Sequence, residues 1–499
     1  MSIVEAGAPA LPEAAREEEV PLERRAYDIP RQRRIFVNRN LKMQDIQLVG
    51  FDMDYTLAIY HQAEMERLSI DLTLQKLVAK RHYPEAILGL EYRPEWAIRG
   101  LVVDRYQGNI FKMDRHGHVG RVFHGRRLLS NQERAELYRK ERIRLSAPRY
   151  AWIDTLFALP EAVMYQRLVD FLDETRPGKV DYPSVWQDVR ECIDEAHRDD
   201  SLKSIIRADL PRFIAFDPDL PTTLHKLRSS GKKTFLLTNS LWDYTDAVMR
   251  YLLDGKLAAY ASWRQYFDII IVGGAKPAFF TEKNPFVELD AATGAVIGEP
   301  KGPLHRGHVY QAGHLADFET RTGAPGEHVL YVGDHIYGDI LRAKKSSVWR
   351  TAMIVQELEQ ELLLSERFAP RIRQLDELDR KRRNLDAEID YQQLLARSLA
   401  RNGDEADAES TSRRARQLLE EHRAALREVT QTYDRLELEV DLSFNADWGP
   451  LFKEGNENSR FGEQVEDYAC LYTSRVSNFL AYSPLRYFRA PRTKMPHEL

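Results

Sequence analysis

Five short runs of apolar, largely β-branched residues constrain the fold of this chain more than any other feature; they lie at 46–51, 234–237, 269–272, 329–332 and 352–355. Each has the length of a strand buried on both faces rather than that of a core helix. Between them lie helical patterns such as 244–253, where Ala247, Val248, Tyr251 and Leu252 fall on one face. Strand alternating with helix predicts an α/β protein with a doubly wound parallel, Rossmann-like sheet. Sheets of that kind bind their ligands beyond the C-terminal ends of the strands, so the residues that follow each run are the ones to examine for function.

The first two runs are separated by about 180 residues, far more than a crossover helix needs, so a substructure is inserted between them. This cap is expected over 57–210, with a hairpin-like turn at 106–109 and helices over 160–172 and 184–197. The core is then expected to comprise 31–56 and 211–357. From 358 to 440 the composition shifts to Leu, Arg, Glu, Gln and Asp, and Leu419, His422, Leu426, Val429, Tyr433, Leu436 and Val440 recur at alternating spacings of three and four. That is a coiled-coil seam. Leu375, Leu378, Leu385 and Ile389 supply an earlier arm, separated from it by the polar stretch 402–412, which predicts an antiparallel helical hairpin. Two surface helices packed flat on the main body would give the same pattern. Residues 441–499 are expected to pack on the core.

Hydrophobic residues at 43% and charged residues at 30% describe a soluble globular protein. The formal charge of -5 argues against a mainly electrostatic nucleic-acid binder. Cys192 and Cys470 lie far apart and form no zinc-type spacing, as expected of an intracellular protein without a disulfide framework. Residues 1–30 are rich in Ala, Pro and Glu and lack an apolar stretch, which reads as a disordered leader rather than a signal peptide. No segment reaches membrane-spanning length. A cytoplasmic protein is expected.

Four strand ends carry reactive residue types. The first continues as Asp52-Met53-Asp54-Tyr55-Thr56, two carboxylates two residues apart on the same side of a departing strand. The second ends in Thr238-Asn239-Ser240 before a helix, where free backbone N–H groups and hydroxyls suit a phosphate oxygen. The third leads to Gly273-Gly274-Ala275-Lys276-Pro277, which fixes a single positive charge. The fourth delivers Gly333-Asp334 and Gly338-Asp339, oxygen ligands suited to Mg2+. Singly, each could be a helix cap, a turn or a surface charge. Together and in this order they point to phosphoryl transfer, which rests on positioning and charge neutralisation. His305, His308 and His314 lack the spacing of helical zinc pairs and are not read as a metal site.

The DMDYT, TNS, strand-end Lys and GDxxxGD motifs resemble those of the haloacid dehalogenase superfamily of phosphohydrolases. GFDMDYTLAIY, LLTNSLWDYTD, KPAFF, LYVGDHIYGDILRAKKSSVWRT and the terminal Lys494 to Glu498 resemble more closely the cytosolic purine 5'-nucleotidase family. The resemblance runs from about Phe36 to Glu498. It implies Mg2+-dependent hydrolysis of purine nucleoside 5'-monophosphates, IMP and GMP preferred, through an aspartyl-phosphate on Asp52, with Asp54 as acid and base and Thr238 and Lys276 on the phosphate. Asp52, the Asp54 carbonyl and Asp334 would hold the metal, with Asp339 behind them or on a bound water. It further implies nucleotide contacts from Phe157, Arg190, Asp194, His197, Lys203, Asn239 and Ser240, and a homo-oligomer, dimer or tetramer, with neither nucleic acid nor membrane as partner.

Arg190, Asp194 and His197 are spaced four and three apart, on one helix face, which without the resemblance would read as solvated surface. Asp154 and Ala158 stand where the family tends to carry Asn, a departure that bears on base preference and effector response. Phosphotransfer to a nucleoside hydroxyl is a second activity open to the same intermediate. Phosphatase action on another phosphomonoester, or an interaction scaffold built on a phosphatase fold, are the alternatives.

Overall fold

The computed structural model describes residues 29–335, 339, 348–402, 406–493 and 495–498. Most of the expected leader, the motif residues Tyr337 and Gly338, Lys494 and the hairpin connection 403–405 lie outside the described residues. Two compact units are present. One comprises the described residues of Met1–Ile59, Ile214–Gln356 and Ala469–Leu499, and the other Tyr60–Phe213 and Glu357–Tyr468.

The first unit is built on a ten-stranded sheet. Its parallel strands are β1 (Leu48–Phe51), β2 (Lys233–Leu237), β3 (Ile269–Val272), β4 (Val309–Ala312), β5 (Val329–Gly333), β6 (Arg350–Ile354) and β7 (Leu471–Thr473). Their order across the sheet is β7-β6-β5-β1-β2-β3-β4. Antiparallel Phe36–Val37 closes one edge, and Phe286–Leu289 with Val296–Gly298 closes the other. The chain therefore winds outward from β1 to β4, then returns to the opposite side of β1 for β5. Such a reversal opens a crevice at the C-terminal ends of the central strands.

Apart from Lys233 at the start of β2, the central strands are buried along their length, which is why they read as apolar runs. Phe235, Phe279, Phe280, Phe318, Tyr331 and Trp349 form an aromatic core against the sheet. Gly50 is required by that core, because a Cβ there would lie 2.0 Å from Phe235 Cζ, directly across the β1–β2 register. Helix Trp242–Leu253 buries Tyr244, Val248, Met249 and Leu252, so of the four residues expected on its inner face Val248 and Leu252 are buried while Ala247 and Tyr251 are only half-buried. β4 and β7 were not among the expected strands. β4 carries a polar Gln311, and β7 has only three residues, so neither gives an apolar run.

The second unit contains helix α1 (Gln62–Arg81), a five-stranded antiparallel sheet, helix α2 (Leu159–Thr175) and helix α3 (Tyr182–Arg198). The hairpin-like turn is real: Leu101–Asp104 pairs antiparallel with Asn109–Met113 across it. α4 (Ala369–Asn402) and α5 (Ala406–Phe444) form the helical hairpin. Arg371 pairs with Glu439 at 3.5 Å and Arg382 covers the Tyr433 ring at 4.4 Å, so residue numbers rise on one arm as they fall on the other. The arms are antiparallel. Ile389, Val429, Tyr433, Leu436 and Val440 are buried along the seam.

The C-terminal stretch differs from expectation. Residues up to Tyr468 group with the second unit and only those from Ala469 with the core. The cause is a buried lysine: Lys112, in the five-stranded sheet, donates to the carbonyls of Trp448 and Pro450 at 2.9 and 2.7 Å. Arg121 binds Asp441 at 3.0 Å nearby, tying the base of the hairpin to the same sheet. Among the described residues no helix is long and apolar enough to cross a membrane.

Candidate active site

Each motif of the first unit is held where a parallel strand ends. Asp52 continues the β1 ladder, its N–H donating to Val332 O at 2.9 Å. The chain then leaves the sheet sharply: Tyr55 takes a positive φ of 54°, and the N–H groups of Thr56, Leu57 and Ala58 all turn onto Met53 O. Asp52 Oδ1 accepts from Met53 N at 2.7 Å, and Asp54 Oδ2 accepts from the Ser240 hydroxyl at 2.8 Å. Ser240, beyond β2, thus orients the second carboxylate.

Lys276 is the centre of the arrangement. Asn239 clamps its backbone twice, accepting from Lys276 N at 2.6 Å and donating to Lys276 O at 2.9 Å. Positive φ values at Gly273 and Ala275 bend the approach from β3. The Nζ lies 2.6 Å from Asp339 Oδ1, 2.9 Å from Asp52 Oδ1 and 2.9 Å from the Tyr331 hydroxyl, which in turn donates to Leu237 O at 3.0 Å. Thr238 is fully buried, its Oγ1 accepting from Ser240 N at 3.0 Å.

Asp52, Asp334 and Asp339 are all buried, and each offers an oxygen within 4.8 Å of the others. Three carboxylates against one ammonium leave two negative charges in excess when all are ionised. Burial pushes the Asp52 carboxyl well above its usual range; Lys276 opposes this, and Asp339, Asp54 and Asp334 add to it. Burial works against the charge on Lys276, yet Asp339 and Asp52 outweigh it and hold the amine above the ordinary lysine range. Hard oxygen donors with an unbalanced charge of two suit a divalent cation such as Mg2+. Asp339 stands among these three carboxylates in direct contact with Lys276.

In the second unit, Phe157 lies in a 3-10 turn before α2 and meets the rings of His197 and Tyr60 edge-on, at 5.5 and 6.2 Å. Arg190 Nη1 lies 2.6 Å from Glu161 Oε1 and its Nε 3.5 Å from Asp194 Oδ2. Arg190 and Asp194 are each about half exposed. Lys203 is half-buried on helix Ser201–Ala208. The structure therefore joins Arg190 to Asp194, and Phe157 to His197.

Two participants escaped the sequence reading. Tyr331 passed as an apolar strand residue, although a phenol inside a buried strand requires a polar partner. Glu161 falls inside the helix expected over 160–172 and is not singled out there, although an acid in an otherwise apolar helix face carries a similar signal.

The sequence model of the 5' nucleotidase family matches residues 35–499. The chain belongs to the 5' nucleotidase family. The chain is similar to the human 5'-nucleotidase domain-containing protein 2, 30% identical over 93% of this chain and 85% of that protein. A 5'-nucleotidase domain-containing protein of Dictyostelium discoideum is 29% identical over 93% of this chain and 74% of its own length. Among solved structures, the putative HAD-hydrolase YfnB from Bacillus subtilis overlaps 62% of this chain and 86% of its own, at 12% identity and a TM-score of 0.22. That overlap is too loose to define the fold, which the strand order itself establishes as a doubly wound α/β sheet. Family membership makes the chain a phosphoric monoester hydrolase.

Proposed function

We propose that the chain is a Mg2+-dependent 5'-nucleotidase that hydrolyses purine nucleoside 5'-monophosphates, IMP and GMP in preference, through an aspartyl-phosphate on Asp52. The observation that carries this reading is the bridge of Lys276 between Asp52 and Asp339, with Asp334 alongside and Asp54 two residues on.

Lys276 beside Asp52 favours the ionised carboxylate needed for attack. An Asp52 oxygen forms a bond to phosphorus in line as the bond to the 5'-oxygen breaks. Asp54 gives its proton to that leaving oxygen, then takes one from the water that attacks phosphorus and breaks the Asp52–phosphate bond, releasing inorganic phosphate. The Ser240 hydroxyl keeps Asp54 in one orientation through both steps. Thr238, the backbone N–H groups after β2 and Lys276 fix the phosphate oxygens. Asp52, Asp334, Asp339 and the Asp54 carbonyl would hold Mg2+, which when bound supplies charge to neutralise the phosphoryl oxygens.

Base recognition is assigned to Arg190 and Asp194, with Phe157 and His197 beside the ring and Lys203 on the same nucleotide. An oxopurine offers acceptors to an arginine and a ring N–H to a carboxylate. A nucleoside hydroxyl replacing water would give phosphotransfer. A cytoplasmic location and a homo-oligomer complete the reading. Phosphate release from IMP, GMP, AMP, pyrimidine nucleotides and sugar phosphates, with and without Mg2+, tests it. IMP and GMP should lead and should require Mg2+; equal kcat/KM for IMP and AMP would contradict the base assignment.

A further inference from the structure

Glu161 stands in the first turn of α2 with only 3% of its surface exposed. It accepts from Arg190 Nη1 at 2.6 Å across the space to α3. Its other oxygen, Oε2, is buried without a hydrogen-bond partner among the described residues. Such a carboxylate is costly to bury and contributes little to stability over an apolar residue of similar size. What it does fix is direction. Arg190 is gripped from one side by Glu161 and approached at Nε by Asp194, while about half of the side chain remains exposed. An unrestrained arginine would spread over many rotamers, whereas this one has a set plane.

We propose that Glu161 is a positioning residue for base recognition: it fixes the Arg190 guanidinium so that the N–H groups left over meet the acceptor edge of an oxopurine. This rests on the assignment of Arg190 to the base. Two donors on Nη2 and one on Nη1 stay available in this arrangement, a planar fork suited to paired acceptors. Burial pushes the Glu161 carboxyl up to about 7 against the pull of Arg190, with Asp194 and Asp154 adding to the rise. A neutral amide is therefore a close substitute in that space, and Glu161→Gln should fold.

The test uses the full chain with Mg2+ and compares IMP with ribose 5-phosphate, which carries the sugar and phosphate without the base. Glu161→Gln should lower the IMP to ribose 5-phosphate ratio of kcat/KM about tenfold, through KM rather than kcat. In an Arg190→Ala background the same substitution should add nothing, since Glu161 acts through Arg190. An Arg190→Ala variant that lowers the ratio while Glu161→Gln leaves it within twofold overturns the inference and spares the base assignment. A ratio unmoved by either variant overturns both. Equal losses on the two substrates would mark a general structural role and likewise overturn it.

Discussion

Replacing Lys276 with Met keeps most of the side-chain volume and removes only the charge and its donors. The Nζ it deletes lies between two buried carboxylates, Asp339 with 1% and Asp52 with 11% of side-chain surface exposed, at 2.6 and 2.9 Å. Taking one partner from a buried ion pair typically costs ~3–5 kcal/mol, because the opposite charge is left uncompensated. The lost donation to Tyr331 adds about 1 kcal/mol. Relaxation and the partial exposure of Asp52 work the other way, so about 3–4 kcal/mol is expected at pH 8 in the metal-free protein. The pH dependence follows from Asp52. Without the lysine its folded pKa rises further above the unfolded value of 3.8. The penalty is then complete above the raised folded value and disappears as pH falls toward 3.8. Two compact units need not unfold in one step, so the assay is urea-dependent hydrogen exchange on peptides spanning β1 and β5, in EDTA, at pH 8 and pH 5. A destabilisation below about 1 kcal/mol at pH 8, or one equally large at pH 5, would refute the reasoning.

Gly333→Ala would set a Cβ 2.5 Å from Asp339 Oδ2 and 2.7 Å from its Cγ; displacing Asp339 from Lys276 should lower kcat at least tenfold and raise the Mg2+ concentration required, and an unchanged Mg2+ titration would count against the role of Asp339. Glu66 is buried in α1, and burial pushes its carboxyl up to about 8, with donation from Gln62 opposing and Glu95 adding. The unfolded chain ionises near 4.5, so wild type should lose stability relative to Glu66→Gln as pH rises from there, levelling off above about 8 at a difference on the order of 5 kcal/mol. A difference that stays constant from pH 5 to pH 9 in thermal melts would contradict this. Excising 380–423 from the hairpin and closing the gap with a short flexible linker should leave kcat within a few-fold and change the number of subunits seen by light scattering; an unchanged oligomer and unchanged kinetics would remove any role of the hairpin in assembly or regulation.

The parts of the fold legible in the sequence were those written locally. β1, β2, β3, β5 and β6 are buried on both faces and so appear as apolar runs, and the residues at four of their ends are contiguous with them in sequence. The hairpin seam was legible because its spacing of three and four is a property of each helix alone. β7 is invisible by itself, since Leu471-Tyr472-Thr473 is a strand only through its pairing with β6, more than a hundred residues earlier, and with Phe36–Val37 near the other end of the chain. The same holds in the site. The spacing of Asp52 and Asp54 marked a candidate strand end, but Tyr331 meets Lys276 across 55 residues and Glu161 meets Arg190 across 29. Nor could sequence show that the Asn239 amide clamps the Lys276 backbone while the Ser240 hydroxyl turns to Asp54.

Mass spectrometry of acid-quenched protein, after brief incubation with IMP and Mg2+, tests the nucleophile most directly. The expected result is a single hydroxylamine-labile phosphoryl group on the peptide containing Asp52, absent from Asp52→Asn, which should also be inactive. Asp54→Asn should still acquire the label from a substrate with a good leaving group but release it slowly. Turnover by Asp52→Asn at the wild-type rate, or a label on any other residue, would contradict the account.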